Sequence, residues 1–193
     1  MRTTPANPTG PSPFTAGTRI LAAGALLFGL LLGLGALLPG DWEAEASHQF
    51  AGTPAEVLTL VDSPEGWQRW TPWPDTAMRS GPARGEGATL SWDHPDMGDG
   101  RFEIVEVAGD TLVRYRVAVQ EGSMQTRGSL HLEPTDGGTT VRWVEEGDFG
   151  WNPLMGYWAL AMPSVQGEEM QKGLERLEAE LSGTTTPSAD APR

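Results

Sequence analysis

The stretch TLVRYRVAVQEGSMQTRGSLHLEPTDGGTTVRWVEE, residues 111–146, decides the fold. Val113, Tyr115, Val117 and Val119 alternate with polar positions that include Arg114 and Arg116, and Val141 and Trp143 flank Arg142. A period of two is that of a strand with one apolar face. Glu121-Gly122 and Asp136-Gly137-Gly138 break the pattern with turn residues. Connections this short force neighbouring strands to run antiparallel. Thr111–Gln120, Met124–Glu133 and Thr139–Glu146 therefore read as a meander.

The pattern extends in both directions. Upstream, Gly109-Asp110 turns the chain back into Arg101–Val107, and a polar loop, Asp93–Gly100, leads back to Ala88–Trp92. Thr53-Pro54-Ala55-Glu56 is a capping box with proline at the first helical position, opening a short helix through Val61. Ser63-Pro64-Glu65 repeats the signal for a second helix ending near Trp70, which Thr71-Pro72-Trp73-Pro74 cannot continue. Before these, Trp42, Ala44, Ala46, His48 and Phe50 share one face of a first strand. Downstream, Asn152-Pro153 starts a long helix carrying Leu154, Tyr157, Trp158, Ala161, Val165, Met170, Leu174, Leu177 and Leu181 at helical spacing. Pro163 is expected to kink or split it, and Gly183 to stop it. The order β-α-α-β-β-β-β-β-α is an α+β fold, one antiparallel sheet whose apolar face a long helix must cover.

Ile20–Leu38 is 19 residues without a charged or polar side chain. At helical rise it spans about 28 Å, close to the roughly 30 Å of a bilayer core. It exceeds a typical signal-peptide core, and the nearby Ala44-Glu45-Ala46 falls inside the first strand, so an uncleaved anchor is the better reading. Arg2 and Arg19 precede it and Asp41, Glu43 and Glu45 follow, which places the N-terminus in the cytoplasm and the domain outside. Ala25, Gly29 and Gly33 form a small-residue face suited to weak homodimerisation. The chain thus divides into a disordered segment 1–18, a transmembrane helix 19–38, a domain 41–182 and a disordered tail 183–193.

All 26 acidic residues of the 193 follow residue 40, and with the remaining 11 bases they leave 41–193 at −15. Such a domain repels a phosphate backbone, so nucleic acid is excluded as a partner. The absence of cysteine removes disulfides, thiolate metal sites and cysteine nucleophiles. His48, His94 and His131 lack ligand spacing, and Asp93–Gly100 lacks the spacing of a calcium loop. No metal or other cofactor is expected.

Several local words add a resemblance. They are Ala51-Gly52-Thr53-Pro54-Ala55-Glu56-Val57, Trp67-Gln68-Arg69-Trp70-Thr71-Pro72-Trp73, Gly85-Glu86-Gly87 leading to Ser91-Trp92, Gly137-Gly138-Thr139-Thr140-Val141-Arg142-Trp143, and Gly147-Asp148-Phe149-Gly150-Trp151-Asn152-Pro153. In these words and in element order, residues 41–182 resemble the SRPBCC or START-like superfamily, in particular its second polyketide-cyclase-like group. The resemblance implies a helix-grip fold, in which the sheet wraps around the C-terminal helix with a cavity between them. It leaves function open, because carriers, cyclases, hydrolases and receptors share that fold.

Within that fold, strand parity sends Leu90, Trp92, Phe102, Ile104, Tyr115, Val117, Leu130 and Trp143 inward, and the helix adds Tyr157, Trp158, Ala161 and Met162. Trp70 packs in the grip, and for Trp67 and Trp73 packing is the favoured reading, with a lid or the bilayer interface as the alternative. Two readings fit the inward set, ordinary core packing and the lining of an apolar ligand pocket. Glu145 shares parity with Val141 and Trp143, and a carboxyl held among Trp143 and Tyr115 suits a general acid or base. A bulge at Gly147 would reset that parity. Arg114, Arg116, Arg127 and Arg142 fall on the outer face with Glu133 and Glu146 as cross-strand partners. The expected function is membrane-anchored binding of a hydrophobic small molecule or lipid. The alternatives are a cyclase, dehydrase or hydrolase using the same cavity, and an interaction module with a vestigial one.

Overall fold

The computed structural model describes residues 13–183 apart from 75, 97, 121 and 123. Helix α1 (Pro13–Gly35) precedes β1 (Asp41–Phe50), α2 (Pro54–Val61) and α3 (Pro64–Trp70). Strands β2 (Met78–Ser80), β3 (Thr89–His94), β4 (Gly98–Ala108), β5 (Leu112–Val119), β6 (Met124–Thr135) and β7 (Gly138–Asp148) follow, then α4 (Pro153–Leu181). The seven strands form one antiparallel sheet in the order β1-β7-β6-β5-β4-β3-β2.

Each expected helix start is built as its residues dictate. Thr53 Oγ1 accepts from the Glu56 amide while the Glu56 carboxylate accepts from the Thr53 amide, and Ser63 and Asn152 cap α3 and α4. Four expectations need correction. α1 begins at Pro13, a residue favoured at a first helical position, so 13–18 are helical rather than disordered; 1–12 and 184–193 lie outside the described residues. It ends at Gly35 rather than Leu38, because the residue before Pro39 is pushed out of helical backbone. Asp93–Gly100 is mostly strand, with β3 and β4 pairing as far as His94 and Gly98, and the short edge strand β2 pairs β3. Finally, α4 continues through Pro163 for 29 residues. One absent N–H is a local loss that the flanking turns and the sheet beneath tolerate.

Regular pairing aligns the inward residues in rows across the strands. Phe102, Val117, Thr126, Gly147 and Trp42 form the row nearest α1. Ile104, Tyr115, Gly128, Glu145 and Ala44 form the next, and Val113, Leu130, Trp143 and Ala46 the third. Parity holds along β7, and the register shift lies instead between Ile104 and Glu106 on β4. The outer arginines pair as Arg114–Glu106, Arg116–Glu103, Arg127–Glu146 and Arg142–Glu45, so Glu146 pairs directly as expected, while Glu133 acts on Arg142 through its charge without a close ion pair.

α4 starts beside the end of α1, where Gly35 abuts Pro153 and the Tyr157 hydroxyl donates to the Leu31 carbonyl at 2.7 Å. It then runs away along β1, passing Glu45 at Gly167 and bonding His48 through Glu178 at 2.7 Å. Among the described residues one stretch is long and apolar enough to cross a bilayer, Gly17–Gly35, and apart from Gly35 none of it is buried. Gly29 and Gly33 face open space.

Candidate functional site

Between the first two rows and α4 lies a cavity of 220 Å³ lined by Trp67, Thr71, Pro72, Trp73, Phe102, Tyr115, Val117, Trp143, Glu145, Gln166, Glu169, Met170 and Arg176. The exposed members Pro72, Glu169 and Arg176 mark its mouth. A larger groove of 480 Å³ between Pro39, Asp41, Glu43, Arg127, Glu146 and Pro163 is more polar and sits at the joint with α1.

The cavity wall is aromatic. Trp67 stands at its centre, with ring centroids 4.5 Å from Trp70, 5.0 Å from Phe102, 4.8 Å from Tyr115 and 5.9 Å from Trp143. Its indole donates to the Val61 carbonyl at 2.7 Å, and that of Trp70 donates to the Leu60 carbonyl at 3.1 Å. These bonds lock two large rings by their polar tips. Trp67 is thus packed core, 2% exposed, in line with the favoured reading.

Polar groups converge at the base of this wall. The Trp143 indole donates to the Tyr115 hydroxyl at 2.7 Å, the hydroxyl donates to Glu145, and the Gln166 amide donates to the other Glu145 oxygen at 2.5 Å. Tyr115 sits on β5 and Glu145 on β7, and the residue between them on β6 is Gly128. A Cβ on Gly128 would fall 2.1 Å from the Tyr115 ring, so the absent side chain is what lets the ring cross β6. Trp92 over Gly100 and Trp42 over Gly147 repeat the device.

Burial raises the Glu145 pKa against the opposing pull of its Tyr115 and Gln166 hydrogen bonds. Burial, with the Glu145 charge second, drives the Tyr115 phenol well above its usual value. Of the two, Glu145 is the one that ionises at the lower pH, and Tyr115 keeps its proton as the donor between them. The buried Trp73 and Trp92 indole nitrogens have no partner among the described residues. Trp73 lines the cavity with its ring, while its indole nitrogen is closed off from it.

Of the residues expected to line a pocket, Phe102, Tyr115, Val117, Trp143 and Glu145 meet here. Trp70 backs Trp143 at 5.5 Å, Trp92 packs on Trp73 at 5.0 Å, and Leu90, Ile104 and Leu130 are fully buried core. Met162 packs against the core, Ala161 is half-buried, and Tyr157 and 52%-exposed Trp158 lie near α1 instead. The reason is that the first turns of α4 pack beside α1, and the helix covers the sheet only from about Ala159 onward. The pattern reading missed Gln166, Glu169, Met170, Arg176 and Thr71–Trp73 as lining. Gly128, a glycine inside a strand, was the available signal for the Tyr115–Glu145 contact. Asp96 folds its amide onto His94 at 3.2 Å, and no cluster of three potential metal ligands occurs among the described residues.

Similar folds are known among solved structures. A Chromobacterium violaceum protein matches at 17% identity and a TM-score of 0.53, over 72% of this chain and 96% of its own. The Aha1 dimer from Colwellia psychrerythraea matches at 17% and 0.52, over 75% and 98%. The di-domain ARO/CYC StfQ of the steffimycin biosynthetic pathway matches at 15% and 0.56, over 76% of this chain and 51% of that one. No curated protein matches. The family model "Polyketide cyclase / dehydrase and lipid transport" matches residues 41–182, and the chain belongs to that family.

Proposed function

We propose that the protein binds a small hydrophobic molecule or a single lipid chain in the 220 Å³ cavity, with Gln166 and the Tyr115–Glu145 pair as polar anchors, while α1 holds it at a membrane. The observation that carries this reading is an aromatic cavity with a few convergent polar groups at its base, the usual make-up of a small-molecule site. Such sites run to about 300–1,000 Å³, so the volume here favours a small or slender ligand. The orientation read from Arg2 and Arg19, N-terminus cytoplasmic and domain outside, belongs to the same proposal.

Native mass spectrometry of the full chain released from mild detergent tests it. A hydrophobic mass should accompany the wild type and be lost from Val117→Trp, which fills the cavity. A bare wild type that also takes up no fatty acid or aromatic probe rejects the reading and favours an interaction module.

Glu145 supports a second reading, an enzyme of cyclase, dehydrase or hydrolase type. A buried carboxyl with a raised pKa opening onto a ligand cavity is placed to move a proton on the bound molecule. Glu145→Gln should keep binding in either case, and would abolish turnover only in the enzyme.

A further inference from the structure

From Phe149 to Gly167 there is no charged side chain, 19 residues in a domain that is otherwise strongly acidic. Most of this stretch is the first half of α4. Leu154, Trp158 and Val165 lie within about 40° of one another around the helix, at 3.6 residues per turn. They face away from the buried Gly156 and Ala159, and are 57%, 52% and 46% exposed. Trp151, just before the helix, is 85% exposed. Beyond Gly167 the same face changes character and carries Glu169, Lys172 and Arg176, all exposed. The apolar part is the part beside α1, tied to it by Tyr157 on the Leu31 carbonyl and by Pro153 against Gly35.

We propose that the first half of α4 is a second membrane contact, lying in the interfacial layer of the same bilayer that α1 crosses. The proposal rests on the anchor reading of α1. Three features fit a bilayer better than a protein partner. The face is continuous with the exposed end of α1. Tryptophan is favoured at the headgroup level. The change from apolar to charged side chains falls along the direction in which α4 leaves α1, as it must for a helix rising out of lipid into water. At −15, residues 41–193 gain nothing from anionic headgroups, so the contact works by apolar insertion and needs only zwitterionic lipid. This docking sets the cavity mouth, marked by Glu169 and Arg176, immediately above the lipid surface.

The chain has no cysteine, so single spin labels can be placed on the full-length protein in phosphatidylcholine vesicles. Labels at Phe28→Cys, Leu154→Cys, Trp158→Cys and Glu169→Cys would be compared for collision with oxygen, which enriches in lipid, and with a water-soluble nickel chelate. Phe28, Leu154 and Trp158 should favour oxygen, and Glu169 the chelate. Chelate access at 154 and 158 equal to that at 169, with Phe28 in lipid, overturns the docking alone. A water-exposed Phe28 removes the anchor reading and the docking with it. Protection of 154 and 158 from both reagents means a second protein covers the face, and this also overturns the proposal.

Discussion

Toward the β4–β5 turn, the space between sheet and α4 is filled by Phe50, Leu132, Val141, Leu174 and Leu177, none more than 1% exposed. Toward α1, the same sheet and the same helix hold Phe102, Tyr115, Val117 and Glu145 around an open cavity. The difference lies in the side chains. Side chains with no polar tip to satisfy, aliphatic ones and Phe50 alike, are free to take the rotamers that close a gap to crystal-like density. Indole and phenol rings whose polar tips are bonded, as at Trp67, Trp70, Trp143 and Tyr115, cannot swing into a void without giving up those bonds. A hydrogen-bonded aromatic scaffold is thus how this domain keeps a hole next to a packed core.

The contrast can be broken most forcefully at the filled end. Leu177→Ala should cost about 2–5 kcal/mol, as buried leucine truncations do, measured by urea unfolding, with ligand uptake by the folded fraction unchanged. Loss of uptake at unchanged stability would mean the two ends are not separate. Gly128→Ala comes next. Its methyl must displace the Tyr115 ring, costing about 1–3 kcal/mol, and the variant should lose the Tyr115–Glu145 hydrogen bond in its crystal structure.

Glu145→Gln gives a smaller effect with a definite sign. The folded pKa of Glu145 is raised, so the native state holds its proton where the unfolded chain has released it. Wild-type stability is then highest below the ordinary glutamate value, about 4.3, and declines as pH rises from there through the raised pKa. The glutamine variant cannot ionise at this site. Its melting temperature should match the wild type near pH 4 and exceed it at pH 8; parallel pH profiles would show that Glu145 is not strained by burial. Arg116→Ala is the smallest. The Arg116–Glu103 pair lies on the exposed outer face, so the melting temperature should stay within error, and a marked drop would show that the outer face shapes the cavity.

Much of this was legible in the sequence. Alternation from Val113 to Val119 and the three cap-plus-proline starts set the elements, and parity alone turned Glu145 inward. Parity sorts residues by face but not by row. Leu130 and Trp143 have the same parity as Tyr115, yet register places only some of them at the cavity. The helical spacing in α4 was equally ambiguous, because Tyr157 and Trp158 continue the apolar pattern of Leu174 and Leu177 while serving a different neighbour. Trp67 left two readings open, packing and a peripheral lid, because only the fold of α3 back onto the sheet decides between them.

The joint between α1 and the domain has a mechanical consequence. The Tyr157 hydroxyl on the Leu31 carbonyl, Pro153 against Gly35 and the Phe149 amide on the Gly40 carbonyl at 3.0 Å leave no free swivel between the two. Any roll of α1 about its long axis is transmitted as torque, and the whole sheet turns with it. One residue inserted above Arg19 and below Leu31 would re-index the lower part of α1 by about 100° while leaving the coupling intact. The azimuth of the domain is therefore set by whatever grips the lower turns of α1.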